Sequence, residues 1–358
     1  MNKSSWVLTL TAGAVVAALA IGGFAYVTSE RVEAQSSSST ISWMPAGATV
    51  VGHLDFTALM NSPIRDRWEE AVGGEGEDER LEEFRATTGI DPMTDIHRLS
   101  FSAVATEDED GDGSSRRAPT AERWGVAIQG SFDSARLIAK AREESELTVE
   151  SYQGTQIYVR SEDDDSHDDG DEDDGEHANG DDDHRRHGTT VDAFAFVDDT
   201  TVLIGDSAYI REMLDVGAGR SASAAPALDE RWGAGSFMED TFWVAAAPKS
   251  GFGGMLPEGA NLPPITSLSL AGRLDGELAL RARGQAADSV AATKLADVVR
   301  GFVALGSLQG GENPDLGEIL DSVLIDQIDN EVDVSIRVGY ETLERLRKQA
   351  ENTEALQF

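Results

Sequence analysis

The sequence predicts an α+β fold: repeated hairpin-plus-helix units that form antiparallel sheets packed by helices, behind one N-terminal transmembrane helix. Three observations carry this reading. Four times along the chain, two alternating stretches joined by a turn are followed by an amphipathic helix. The strands alternate apolar and polar residues instead of running apolar throughout, as antiparallel sheets with one buried face do. Near the start, 22 residues from Trp6 to Val27 carry no charge, a length that spans a bilayer at about 1.5 Å per helical residue.

In chain order, residues 1–28 are the transmembrane helix or signal segment. Lys3 precedes the apolar run while Glu30, Arg31 and Glu33 follow it, so the N-terminus is expected to stay cytoplasmic. Val32, Glu33 and Ala34 form a small-x-small site before Gln35, and cleavage there would release the rest. Both outcomes put the main domain across the membrane, outside the cytoplasm. Residues 29–42 are a Ser-rich linker, and 43–358 form the extracytoplasmic α+β domain.

That domain opens with a strand in "ATVVGHLDF". A helix through Ile64 and Trp68 follows, with Pro63 in its first turn, then another through Leu81 and Phe84. The first unit pairs "RLSFSAVA" with "WGVAIQGSF" and continues into a helix capped by Asp133, carrying Leu137, Ile138 and Ala141. The second turns at Asp198 and Asp199 within "DAFAFVDDTTVLIGD". Asp206 then caps a helix with Tyr209, Ile210, Met213 and Leu214. The third, "SLSLAGRLDGELALRARG", turns at Asp275 and Gly276, a strong hairpin signal. Its helix places Ala291, Leu295, Val298, Phe302 and Leu305 on one stripe expected to be buried. The fourth turns at Asp329 and Asn330, sets Val332, Val334, Ile336 and Val338 on one face, and leads to a helix with Leu343, Leu346 and Ala350. Whether the units share one sheet or two stays open at this level.

The stretches "MPAGATVVGHLDFTALMNSPIRDRW", "TGIDPMTDIHRLSFSAVA" and "WGVAIQGSFDSARLIA" resemble a group of uncharacterised bacterial membrane-anchored or secreted envelope proteins with repeated α+β units. The resemblance covers residues 43 to 340 and rests on short patterns such as Gly89-Ile90-Asp91-Pro92. It implies an exported envelope protein and brings no catalytic residues with it.

The charge narrows the partners. The 66 acids and 29 Lys plus Arg give −37. Residues 162–187 account for −12 of this and 107–117 for −3, so the remaining −22 is spread over the whole chain. Such a field repels phosphate backbones, which argues against nucleic acid and leaves basic protein partners and cations. Apart from the membrane met by the N-terminal helix, a protein partner is the expected one. The absence of cysteine excludes disulfides, thiolate metal sites and a cysteine nucleophile.

Two acidic stretches, at about 106–120 and 161–190, read as disordered insertions at loop tips between strands. The second holds His167, His177, His184 and His187 among its acids. Histidine and aspartate side chains at these spacings can chelate zinc, nickel or copper, so these four are the candidate metal ligands, and weakly bound divalent cations are the only cofactor expected. Asp108, Asp110, Asp112 and Gly113 match the opening of a calcium loop, yet its twelfth position, which must supply a bidentate carboxylate, is Pro119.

No linear motif marks an enzyme. "GAGRSA", Gly217 to Ala222, fits a dinucleotide pattern but follows a helix instead of a strand, and Gly217 reads as a helix C-cap. "GFGGMLPEG" after Lys249 lacks the ending of a phosphate loop. Gly-x-Ser-x-Gly, Ser-x-x-Lys and His-Glu-x-x-His are absent. His53 and His97 flank expected strands, where structural hydrogen bonding is the ordinary role. Trp43, Trp68, Trp124, Trp232 and Trp243 are expected in the core. The reading is a non-catalytic envelope protein with a binding or structural role; the alternative is a cation-binding protein that uses the His/Asp insert.

Overall fold

A computed structural model describes residues 38–62, 77–105, 121–160, 192–247, 263–274, 276–310, 314–342 and 345. The expected helix through Ile64 and Trp68, both acidic inserts, the Gly-rich stretch after Lys249 and the N-terminal apolar run lie outside them. No helix among the described residues is long and apolar enough to cross a membrane.

The described elements run in the order α1 (Ser38–Ile41), β1 (Val50–Asp55), α2 (Phe56–Met60), α3 (Glu77–Thr88), α4 (Pro92–Asp95), β2 (Ile96–Ala105), β3 (Ala121–Gly130), α5 (Ser134–Glu144), β4 (Leu147–Tyr152) and β5 (Thr155–Arg160). They continue with β6 (Ala193–Phe196), β7 (Thr201–Gly205), α6 (Ser207–Gly217), α7 (Leu228–Trp232), β8 (Phe242–Ala246), β9 (Ile265–Leu274), β10 (Leu278–Ala286), α8 (Ser289–Gly310), α9 (Pro314–Asp321), β11 (Leu324–Ile328) and β12 (Glu331–Val338). A further helix starts at Tyr340; Leu343, Leu346 and Ala350, expected on it, lie outside the described residues.

The open question of one sheet or two resolves to one. All twelve strands join in the order β11-β12-β10-β9-β8-β1-β2-β3-β7-β6-β5-β4, and every pairing is antiparallel. The joint is β1, whose Gly52 stands opposite Phe101 of β2 on one side and Val244 of β8 on the other. Outward from this joint the two halves follow one plan. The run β1-β2-β3-β7-β6 repeats as β8-β9-β10-β12-β11, a strand followed by two hairpins with a helix between them, and β4–β5 is an added hairpin on the first half's edge.

Alternation decides which face each side chain takes. On one face, Val51 and His53 of β1, Trp243 and Ala245 of β8, Ala127 of β3 and Leu203 of β7 lie under Tyr209, Ile210 and Met213 of α6 and under Leu228, Trp232 and Phe237. Each fully buried large side chain contributes roughly 1.5–3 kcal/mol over leaving it in water. On the other face, Ala291, Ala292, Leu295 and Ala296 of α8 pack on Ile265, Ala286 and Val332, and Leu59 and Met60 of α2 pack on Leu274 and Leu278.

Three expectations need correction. The stripe on α8 is buried only through Leu295; Phe302 and Leu305 are 68% and 52% exposed. The C-terminal half of α8 turns its other side, at Val299, Val303 and Gly306, toward α9, where an added Cβ on Gly306 would come within 3.3 Å of Leu320. Gly217 is not the C-cap of α6: it is the last helical residue, Ala218 is the cap, and Gly219 takes the left-handed conformation at φ 71°. Asp206 occupies the N-cap of α6 without bonding that helix through its side chain. Its carboxylate instead accepts the backbone N–H of Trp124, tying α6 to β3. By contrast Asp133 caps α5 as expected, accepting from the Arg136 N–H at 3.0 Å.

Candidate interaction surface at the C-terminal edge

The most exposed large apolar side chains of the described chain lie at the β11 end of the sheet, on α8 on one face and on β11 on the other. On α8 they are Val290, Phe302, Leu305 and Leu308, the last 81% exposed. On β11 they are Leu324 at 62% and Ile328 at 66%. Between α8, α9 and β12 runs an open apolar groove of about 300 Å³, lined by Val299, Phe302, Ile319, Leu320, Val334 and Ile336 among others. That volume lies at the small end of ligand pockets.

The local chain explains why these residues face out. β11 alternates, so Ile325 and Gln327 look toward α8: Ile325 joins the core there, and the Gln327 side chain donates to Thr293 Oγ1 at 3.0 Å. Leu324, Asp326 and Ile328 therefore share the opposite face. Among the described residues β11 pairs on one side only, with β12, which sets Asp326 directly opposite Asp333. Arg283 already holds Asp333 through two bonds, at 2.7 and 3.2 Å.

Elsewhere the ionisable groups that the fold brings together close on each other. Asp240, 3% exposed, receives Arg273 at 3.0 Å and Arg281, fixing the segment before β8 onto β9 and β10. Arg98 reaches Asp55 between β2 and β1 at 3.4 Å, and Arg345 clamps Asp315 at 2.6 Å. Each is a pin between elements.

His53 lies within β1, fully buried. Its Nδ1 shares a 2.9 Å hydrogen bond with Ser100 Oγ, which in turn bonds Thr40 Oγ1 at 2.8 Å. Among the described residues its Nε2 has no partner, and the indole N–H groups of Trp232 and Trp243 and the Ser269 hydroxyl are likewise buried and unpartnered. Burial lowers the imidazole pKa to about 4; nearby Asp55 pulls the other way and Arg98 adds to the lowering. Tyr209 hydrogen-bonds Ser102 at 2.9 Å, and burial pushes its hydroxyl up to about 12. His97 sits in β2 at a register irregularity between Ile96 and Arg98.

The candidate metal ligands His167, His177, His184 and His187 lie outside the described residues, as do the aspartates of the calcium-like stretch. Among the described residues no three His, Asp or Glu side chains gather closely enough to hold a metal ion. Of the tryptophans expected in the core, Trp124, Trp232 and Trp243 are buried and Trp43 is partly so, while Trp68 lies outside the described residues. What sequence reasoning missed is the outward face of β11. The alternation Leu324-x-Asp326-x-Ile328 was legible, but the opposition of Asp326 and Asp333 depends on register.

No family model matches the chain, and no curated protein matches it. Among solved structures, crystal forms III, IV and I of TP0453 align with TM-scores of 0.46, 0.43 and 0.43 at 8%, 8% and 9% identity. The alignments cover 85%, 87% and 85% of this chain and 96%, 96% and 94% of that one. At that level of similarity no property is carried over.

Proposed function

We propose that this is a non-catalytic protein of the bacterial cell envelope whose acidic α+β domain works outside the cytoplasm by binding a positively charged protein partner. The N-terminal segment anchors it in the inner membrane, or is cleaved behind Ala34 to release it. The observation that carries the binding role is the collection of outward apolar side chains at the β11 end of a chain with net charge −37. Large apolar groups held in water mark interaction surfaces, and the surrounding field selects cationic partners. The Arg-clamped carboxylates support the same reading, because their charges are spent on architecture.

The test is cell fractionation with a protease-accessible tag at the C-terminus. Tag cleavage by protease added outside the inner membrane is expected; a protected tag in the soluble cytoplasmic fraction overturns the proposal. A second reading, cation binding, rests on four of the six histidines falling within residues 162–187. Stoichiometric zinc uptake that vanishes when those residues are deleted, with folding retained, would establish it.

A further inference from the structure

The outer side of β11 is the place where the observations converge. Among the described residues it ends the sheet on that side, and such an edge presents backbone N–H and C=O groups ready to pair with another strand. Its exposed face reads apolar, acidic, apolar at Leu324, Asp326 and Ile328. Natural edges are commonly blunted by charge or by short length; this one is five residues long with a single central charge between two aliphatic side chains.

Asp326 is in an unfavourable position as it stands. Like charges directly opposite each other across a ladder destabilise it, and Asp333 is that neighbour. The Arg283 fork is committed to Asp333, and no described cation pairs with Asp326. The open side of the strand is thus the direction from which a cation would relieve it.

The same residue argues against a second copy of this chain. Antiparallel pairing of β11 with itself about Asp326 sets carboxylate against carboxylate. Moving the two-fold axis to Ile325 or Gln327 sets Asp326 against Leu324 or Ile328 instead. None of these registers gives it a counter-charge.

We infer that β11 accepts an extended segment of a different protein as a thirteenth strand, one that alternates apolar residues around a Lys or Arg placed opposite Asp326. Backbone bonds along the edge supply affinity, and the side-chain alternation supplies selectivity, as in other strand additions. This rests on the binding role proposed above and specifies its partner.

The probe is a labelled nine-residue peptide that alternates Val and Thr with one central Lys on the Val face, compared with the same peptide carrying Glu. Binding to the full-length chain is read by fluorescence anisotropy and by hydrogen exchange of the β11 amides. The Lys peptide is expected to bind at least tenfold more tightly than the Glu peptide and to protect β11, and Asp326→Lys to reverse the preference. Because Asp326 is exposed and faces a like charge, that substitution leaves folding intact. Equal affinity for both peptides, an unchanged preference in Asp326→Lys, no binding, protection confined to another strand, or self-association of the chain through β11 each overturns the inference. The fractionation result is independent of these outcomes, so failure here and failure of the envelope assignment are told apart.

Discussion

His53 is the residue whose chemistry most constrains the solution behaviour of the fold. Buried with Nε2 unpartnered, it is held neutral with a pKa near 4, against 6.5 for the free side chain. Between those values the unfolded chain binds the proton and the folded chain does not, so stability rises with pH across that window. The contribution is complete above about pH 6.5 and is lost as pH falls toward 4, a total of about 3 kcal/mol. Urea denaturation of the wild type and of His53→Phe at pH 7.5 and 4.5 checks this: the wild type is expected to lose about 2–3 kcal/mol more than the variant on acidification. An equal loss in both would mean that the imidazole reaches water in the native state. The sequence marked His53 as structural on the ground that it flanked a strand. Its place inside β1, opposite Trp243, required the β1–β8 register.

At the scale of elements, the end of α6 separates two reasons for glycine. At Gly217 an added Cβ would fall 1.9 Å from Trp43 Cζ3, so the ring itself occupies the space. Gly219 has open space around it but a φ of 71°, where side chains are strained. Gly217→Ala is expected to cost about 1–3 kcal/mol, as overpacked sites do, in spite of alanine's better helix propensity. It should also shift tryptophan emission, because Trp43 must move. Gly219→Ala should cost about 1–2 kcal/mol from the left-handed backbone alone and leave the emission unchanged. Denaturant titrations followed by fluorescence distinguish the two. The hairpins and their helices were legible because alternation and turn residues are local signals: all four hairpins and the helices of the first three units stand where the sequence set them. The outward turn of α8 was not legible: a 3.6-residue stripe says that one side is apolar, and only the arrival of α9 at Gly306 decides which apolar side chains stay covered.

At the scale of the whole molecule, a charge of −37 makes the folded state repel itself. Screening shortens from about 30 Å at 0.01 M salt to about 3 Å at 1 M, so the melting temperature is expected to rise with sodium chloride. The rise should be shallower in a chain lacking residues 162–187, which carry −12 of the charge. A flat or falling curve in differential scanning calorimetry would mean that the acids are already neutralised by bound counterions. Composition made this visible in advance, whereas the union of two similar halves into one sheet was not, since it depends on a pairing between strands almost two hundred residues apart. That pairing also imposes an order in time. A chain made from its N-terminus at about 5–20 residues per second completes β1 roughly 10–40 s before β8 exists to join it. For that interval the centre of the finished sheet is an edge, and the first half of the nascent protein carries an unsatisfied ladder that a chaperone, or a wrong partner, can occupy.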